Sequence, residues 1–199
     1  MPRKQAITGS SRATTTERVL AAALKVFAEH GLAATTRQIS QAAKVNEVTL
    51  FRQFESKEKL LAAAVREMVR LQWQALDSVD LEDFDLRRDL MRIAQAYDAT
   101  TTRHMGFIRT MLAQPAAPKM TDQMTREVLQ PLRDKFLAYL GEARRRGFIR
   151  NVALDPAVDA FTGMVFSGAL RRDIRKQAYP AGAYLEACVE IFLEGIGNK

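Results

Sequence analysis

The sequence is poor in the residues that most often support metal binding and nucleophilic catalysis. Its 199 residues include one cysteine and two histidines. The single thiol, Cys188, excludes a disulfide within the chain, and His30 and His104 stand in different parts of the sequence, so no Cys/His metal cluster or Cys–His pair is recognisable. A glycine-rich phosphate loop is also absent, and the closely spaced carboxylates of residues 77–85 look solvated. We therefore expect no catalytic site, no metal and no cofactor.

Long apolar runs and internal repeats are missing as well. No segment has the roughly 20 consecutive apolar residues of a membrane-spanning helix, and none has the layout of a signal peptide. No stretch alternates polar and apolar residues over the length of a strand, whereas apolar residues recur at helical spacing. The sequence predicts an all-α, cytoplasmic protein with no membrane partner.

Positive charge is concentrated in the first third of the chain. The formal net charge is +7, of which residues 1–60 contribute +5 through ten Lys and Arg against five Glu. An excess of this kind is most often a solvated surface. Beside a DNA-binding motif it indicates instead a basic domain that binds the phosphates of nucleic acid, attached to a nearly neutral body.

Residues 35–61, TTRQISQAAKVNEVTLFRQFESKEKLL, supply such a motif, because they predict two short helices joined by a tight turn and followed by a third helix. Thr35 and Gln38 have the spacing of a capping box, which marks the start of the first helix. Asn46 and Ser56 are cap residues for the second and third helices. This is the layout of a helix-turn-helix, whose second helix enters a DNA major groove.

The apolar spacing predicts which face of each short helix is buried. Ile39, Ala42 and Ala43 share one face of the first helix, and Leu50 and Phe54 share one face of the second. The polar and small side chains left on the outer surface of the second helix are the candidates to contact DNA. They are Glu47, Val48, Thr49, Arg52 and Gln53.

Two further helices are predicted to support this motif. Thr14 and Glu17 form a second possible capping box, opening a helix that Gly31 would end. The helix opened by Ser56 meets no Gly or Pro up to residue 76, so we expect it to be long and to join the motif to the rest of the chain. Its inward side chains are expected to be Leu60, Leu61, Ala64, Val65 and Met68.

Residues 14–61 together resemble the DNA-binding domain of the tetracycline-repressor (TetR) family. The resemblance rests on an amphipathic helix with a Phe near its end, on GLAATT, on TTRQISQAAKV, on NEVTLFRQF and on SKEKLL. It implies an all-α homodimer whose remaining helices hold a small-molecule pocket, and a regulator that represses transcription until an inducer binds.

Four positions depart from the family pattern. Lys44 stands where the family usually has Gly, in a turn with positive φ, where a non-Gly residue costs roughly 1 kcal/mol. Phe51 and Gln53 stand where Tyr and His commonly contact phosphates; Gln53 can still donate a hydrogen bond and Phe51 cannot. Val48 replaces a small residue near the bases, so a thymine methyl group is its expected contact.

These considerations divide the chain into three parts: a flexible basic arm (1–12), whose Arg and Lys could also bind DNA, a helix-turn-helix domain (13–60) and a helical effector-binding and dimerisation domain (61–199). Lys57 joins the DNA-binding set because it stands in the first turn of a helix, where the backbone favours a phosphate. The DNA-binding residues are expected to be Thr35, Thr36, Arg37, Lys44, Asn46, Glu47, Val48, Thr49, Arg52, Gln53 and Lys57.

The body has periodic apolar runs at about 87–102, 104–113, 120–146, 157–175 and 182–196. The last two have wide apolar stripes with small residues in the middle. They predict either a four-helix dimer interface or burial within one chain. A dimer formed in this way would bind a palindromic operator. The interface residues in the first case would be Phe161, Val165, Gly168, Tyr184, Cys188, Ile191 and Phe192.

The body is also rich in Met and aromatic residues, which suit a pocket for an apolar small-molecule effector, although each is more often simply core. The candidate pocket residues are Trp73, Arg92, Tyr97, His104, Phe107, Met111, Phe136, Tyr139 and Phe166. The sequence favours an effector-released repressor of double-stranded DNA. Two alternatives stay open: an effector-independent activator or architectural DNA-binding protein, and a helical small-molecule carrier or enzyme.

Overall fold

The computed structural model describes residues 14–74, 77, 84–113, 130–174 and 179–197, and the helices in these ranges confirm the all-α prediction. The N-terminal helices are α1 (Thr15–His30), α2 (Thr36–Ala43), α3 (Glu47–Phe54) and α4 (Lys57–Trp73). The body contributes α5 (Leu86–Arg103), α6 (Met105–Ala113), α7 (Gln130–Arg145), α8 (Leu154–Ile174) and α9 (Ala181–Ile196). The basic arm and residues 78–83 of the acidic segment lie outside the described residues.

The predicted caps begin the four N-terminal helices. The hydroxyl groups of Thr14 and Thr35 accept hydrogen bonds from the backbone N–H three residues on, and both capping boxes are complete. Asn46 caps α3 through the N–H two residues on, and Ser56 caps α4 through the N–H three residues on. Each cap satisfies backbone donors that the first turn of a helix leaves without an intrahelical partner.

The apolar faces of these helices form the core of the N-terminal region. Ile39, Ala43 and Leu50 are buried, and Phe54 packs against the core from a half-buried position. Ala42 is exposed, contrary to the expectation from spacing. On α4, all five side chains predicted to point inward are buried.

One continuous cluster of buried side chains runs from Val19 in α1 to Ile196 in α9. The α1 helix packs against α2, α4 and α6, while α4 packs on α5, which in turn contacts α8 and α9. The domain boundary expected at residue 60 falls inside α4. None of the helices in the described ranges combines the length and the hydropathy that crossing a bilayer requires.

Candidate nucleic-acid interface

The turn between α2 and α3 is tight and is made by a lysine in a left-handed conformation. Lys44 has φ 55° and ψ 48°, as expected for a position where glycine is usual. Its N–H donates to the carbonyl oxygen of Gln41 over 3.1 Å, and the N–H of Val45 donates to that of Ser40 over 3.0 Å. The side chain of Lys44 is exposed, so its charge stands at the edge of the motif.

The left-handed turn gives a prediction that separates charge from backbone conformation. Lys44→Gly and Lys44→Ala both remove the ammonium group, but only glycine adopts positive φ without cost. We expect the Gly variant to unfold in urea with a free energy about 1 kcal/mol higher than the Ala variant, and both to bind DNA equally weakly. Equal stability of the two variants would contradict the assigned conformation.

One side of α3 is buried and the opposite side is exposed. Leu50 is 1% exposed and fixes the inner face of the helix. On the other side Val48 is 72% exposed and Phe51 is 46% exposed, with Arg52 and Gln53 also exposed. The outward side of α3 therefore presents apolar, basic and amide side chains together.

Two polar contacts orient α3 on the helices that support it. The hydroxyl group of Thr36 donates to the carboxylate of Glu47 over 2.5 Å, joining the first turns of α2 and α3. The side-chain amide of Gln53 donates to the hydroxyl of Thr16 in α1 over 2.5 Å. These bonds fix α3 relative to α1 and α2. A fixed orientation of α3 is what side chains on its outer surface need in order to contact a DNA groove.

Lys57 also has a partner within the protein. Its ammonium group donates to the backbone carbonyl of Leu32 over 2.8 Å from a half-buried position. One of the three N–H donors of the Lys57 ammonium group is therefore used within the protein, and the other two can donate to a phosphate.

The eleven residues expected to bind DNA differ in exposure and in their role within the protein. Arg37, Lys44, Val48, Arg52 and Gln53 are exposed along one region of α2, the turn and α3, whereas Thr36, Glu47, Thr49 and Lys57 are half-buried. Thr35 and Asn46 serve as helix caps. Sequence spacing could not show the bonds of Thr36, Gln53 and Lys57, because their partners lie 11, 37 and 25 residues away.

A second non-glycine residue with positive φ ends the recognition helix. Glu55 has φ 64° and ψ −43°, and its carboxylate is ion-paired with Lys59. No glycine or asparagine in the sequence signals this turn, so sequence reasoning missed it.

Comparison with known proteins decides the identity of this motif. Residues 19–64 match the family model described as bacterial regulatory proteins, tetR family. Through this segment the chain is similar to that family. It is 25% identical over 186 residues to the uncharacterized HTH-type transcriptional regulator YvkB of Bacillus subtilis (strain 168), covering 92% of this chain and 97% of that protein.

Solved structures show the same fold along nearly the whole chain. A Clostridium perfringens protein named as a candidate fatty acid metabolism regulator superposes with a TM-score of 0.75 at 18% identity, covering 92% of this chain and all of that one. The TetR-family regulator PfmR of Thermus thermophilus superposes with a TM-score of 0.67 at 23% identity, covering 94% of this chain and all of that one. The flavonoid-responsive regulator FrrA superposes with a TM-score of 0.66 at 22% identity, covering 93% of this chain and 98% of that one.

Four of the candidate effector residues of this chain pack against one another in the body. Trp73, Tyr97, Phe136 and Tyr139 form a cluster of packed rings, with Trp73 5.4 Å from Phe136 and 5.7 Å from Tyr97 between ring centroids. The hydroxyl of Tyr139 donates to the fully buried carboxylate of Asp89 over 3.1 Å, and burial beside that charge raises the pKa of Tyr139 well above its usual value.

The other five candidates lie elsewhere. His104 and Phe107 line a groove against α1, Arg92 is exposed, and Met111 and Phe166 are half-buried on α6 and α8. One pocket shared by all nine residues stays a prediction, because helical spacing places aromatic residues inward without saying which ones face each other.

Most of the residues predicted for a dimer interface are buried within one chain. Phe161, Val165 and Phe192 are at most 5% exposed and pack inside one chain, where the Phe161 and Phe192 rings lie 4.9 Å apart. Gly168, also buried, has no room for a Cβ because the ring of Tyr184 fills the space. Cys188 is buried too, and only Ile191, 60% exposed, is available to a partner. Burial within one chain, the alternative interpretation, accounts for the other six residues.

Proposed function

We propose that this chain is a cytoplasmic, homodimeric repressor that binds a palindromic operator through α3 and is released by a small apolar effector. The observation that supports it most is the outward face of α3, where Val48, Phe51 and Arg52 are exposed while Leu50 anchors the helix from within. The net charge of +5 on residues 1–60 supplies attraction to phosphates.

Within this interface we assign the side chains by the chemistry that each can offer. Arg37, Lys44 and Lys57 supply positive charge to backbone phosphates, and Gln53 supplies an amide donor. Val48 and Thr49 reach base edges in the major groove, where the valine suits a thymine methyl group. Arg52 stands at the end of the helix and can contact either phosphate or guanine.

A second copy of the chain is proposed to dock on the outer faces of α8 and α9. Small or apolar residues recur there at helical spacing and are exposed or half-exposed: Ala160, Gly163, Ser167 and Ile174 on α8, and Ala183, Ala187, Ile191 and Gly195 on α9. An open groove of about 410 Å³ follows the α8 face beside Ser167, Leu170, Arg171 and Ile174. A two-fold dimer would place the two α3 helices roughly 34–36 Å apart, one turn of DNA.

The effector is proposed to bind among the body helices and to change the spacing of the two α3 helices. It can shift DNA affinity only by the difference in its affinity for the two dimer geometries. The α4 helix is the candidate for transmitting the change, because it runs from the DNA-binding region into the aromatic cluster at Trp73. The names of two proteins with this fold, one responsive to flavonoids and one assigned to fatty acid metabolism, favour an apolar organic ligand.

The proposal is tested by selecting duplexes from a random DNA library with the purified protein and footprinting the enriched sequence. We expect one palindrome with both halves protected. Binding to every duplex without preference would favour an architectural protein, and no binding at low salt would favour a carrier. A screen of apolar metabolites and drugs should find compounds that release the DNA; DNA affinity indifferent to all of them would contradict the effector part of the proposal.

The assignment of contacts predicts different effects for two substitutions. Lys57→Ala should weaken binding uniformly across operator sequences and reduce the slope of log affinity against log salt by about 1, as loss of one phosphate contact does. Thr49→Ala should change base preference at one position in each half-site. The measurement is fluorescence anisotropy with a panel of single-base operator variants over a range of salt.

Lys59→Ala is the matched control, since Lys59 lies two residues further along α4 and is already ion-paired with Glu55. It should leave the salt slope nearly unchanged. A changed base preference in Lys57→Ala would show that the roles of Lys57 and Thr49 are assigned wrongly.

A further inference from the structure

A groove of about 260 Å³ lies where α1 meets the junction of α5 and α6, and we call it the seam groove. Leu24 and Phe107, each at most 5% exposed, form its apolar floor together with Ala28. Lys25, Arg103 and His104 form its rim. The groove is separate from the aromatic cluster of the body, since none of the clustered rings lines it.

The rim offers positive charge and no negative charge. Lys25 and Arg103 are exposed, and within the described ranges no carboxylate forms an ion pair with either of them. His104 is half-buried between them, and its partial burial, followed by the nearby charge of Arg103, lowers its pKa. An apolar floor beneath these two cations matches a ligand that has an apolar part and an anionic group.

We propose that the seam groove binds a small organic carboxylate, whose apolar part packs on Leu24 and Phe107 and whose carboxylate is held by Lys25 and Arg103. The volume lies just below the range of about 300–1,000 Å³ typical of ligand pockets, which limits the ligand to about the size of benzoate. An inorganic phosphate would satisfy the cations but would leave the apolar floor exposed to water.

The position of the groove connects it to the DNA-binding region. The hydroxyl of Thr110 in α6 donates to the carbonyl of Ala28 in α1 over 2.9 Å, directly beside the groove. The same α1 helix carries Thr16, which accepts the hydrogen bond from Gln53 of the recognition helix. A ligand that separates α6 from α1 would therefore change the support of α3, a consequence that rests on the proposed function.

The binding test uses the full-length protein without DNA and benzoate as the probe, so its failure is distinguishable from failure of the repressor proposal. Binding is followed by NMR through the imidazole resonances of the two histidines, His30 and His104. The resonance that disappears in His104→Gln belongs to His104, and the remaining one belongs to His30. We expect benzoate to shift the His104 resonances saturably and to raise the pKa of His104, because a carboxylate favours the imidazolium form. His30 serves as the internal reference.

Benzamide and inorganic phosphate are the matched probes, one lacking the charge and the other lacking the ring. Benzamide should bind at least about tenfold more weakly than benzoate, since a charge-assisted hydrogen bond is worth about that factor. Phosphate should also bind at least about tenfold more weakly, because it leaves the apolar floor exposed to water. Binding of benzamide equal to that of benzoate, or the absence of a saturable His104 shift, would overturn the proposal.

Three variants locate the site. Lys25→Ala and Arg103→Ala should each lower benzoate affinity about tenfold or more. Arg18→Ala removes the same charge from an exposed position on the same helix and should leave affinity unchanged. Gly106→Leu should abolish binding, because a Cβ at Gly106 already reaches 3.7 Å from that of Ala28 and the longer side chain would fill the groove. Benzoate affinity unaltered in both Lys25→Ala and Arg103→Ala would place the ligand elsewhere.

Discussion

Ile191→Glu is expected to convert the proposed dimer into a monomer and to weaken binding to the proposed operator by about 10²- to 10⁴-fold, the gain that linking two binding modules provides. Ile191 is 60% exposed on α9, within the outer face proposed to meet a second copy. A carboxylate there would lose its water without gaining a partner, on both sides of a two-fold interface. Sedimentation equilibrium measures the assembly, and anisotropy with the selected palindrome measures the affinity.

Leu112→Glu is the control for this experiment. Leu112 is 71% exposed on α6, outside the proposed interface, so the same charge should leave both the assembly and the affinity unchanged. A dimer that persists in Ile191→Glu with full operator affinity would exclude this face of α9 as the interface.

Phe136→Ala should lower the free energy of unfolding by about 3–5 kcal/mol, the cost of removing a fully buried phenyl ring. Phe136 is 0% exposed and lies at the centre of the aromatic cluster, with ring centroids 5.4 Å from both Trp73 and Phe161. The loss is large because the ring lies among three helices, α4, α7 and α8, that cannot all move into the space it leaves. Urea denaturation at one fixed protein concentration measures it, since dimerisation makes stability depend on concentration.

Phe148→Ala is the matched control because it removes the same ring from a position that is 46% exposed. Its ring stacks on Phe84 at 4.9 Å, so we expect a cost of no more than about 1.5 kcal/mol. Equal losses in the two variants would mean that Phe136 does not support the core and that its ring instead borders open space.

The N-terminal helices were predictable because their signals are local. Thr14, Thr35, Asn46 and Ser56 each cap a helix through a partner no more than three residues away, and short spacing in sequence fixes such contacts. The positive φ at Lys44 was expected from the resemblance to the TetR family, which usually has glycine at this position of the turn.

The sequence predicted that the body is helical but not which side of each body helix is buried. Both α8 and α9 carry apolar or small residues on more than one side, so periodicity could not distinguish the buried Phe161 and Phe192 from the exposed Ile174 and Ile191. The same limit applies to the contact between Thr36 and Glu47, which depends on how two helices pack.

The continuous core from α1 to α9 has a consequence for engineering chimeric regulators. A recombination point at residue 60 would divide α4 and would separate Leu61, Ala64 and Val65 from the N-terminal side chains that they cover. If the proposed function holds, a chimera with the DNA specificity of a homologue must either take α4 and α6 from the same donor as the N-terminal helices, or carry only the outward side chains of the donor's α3.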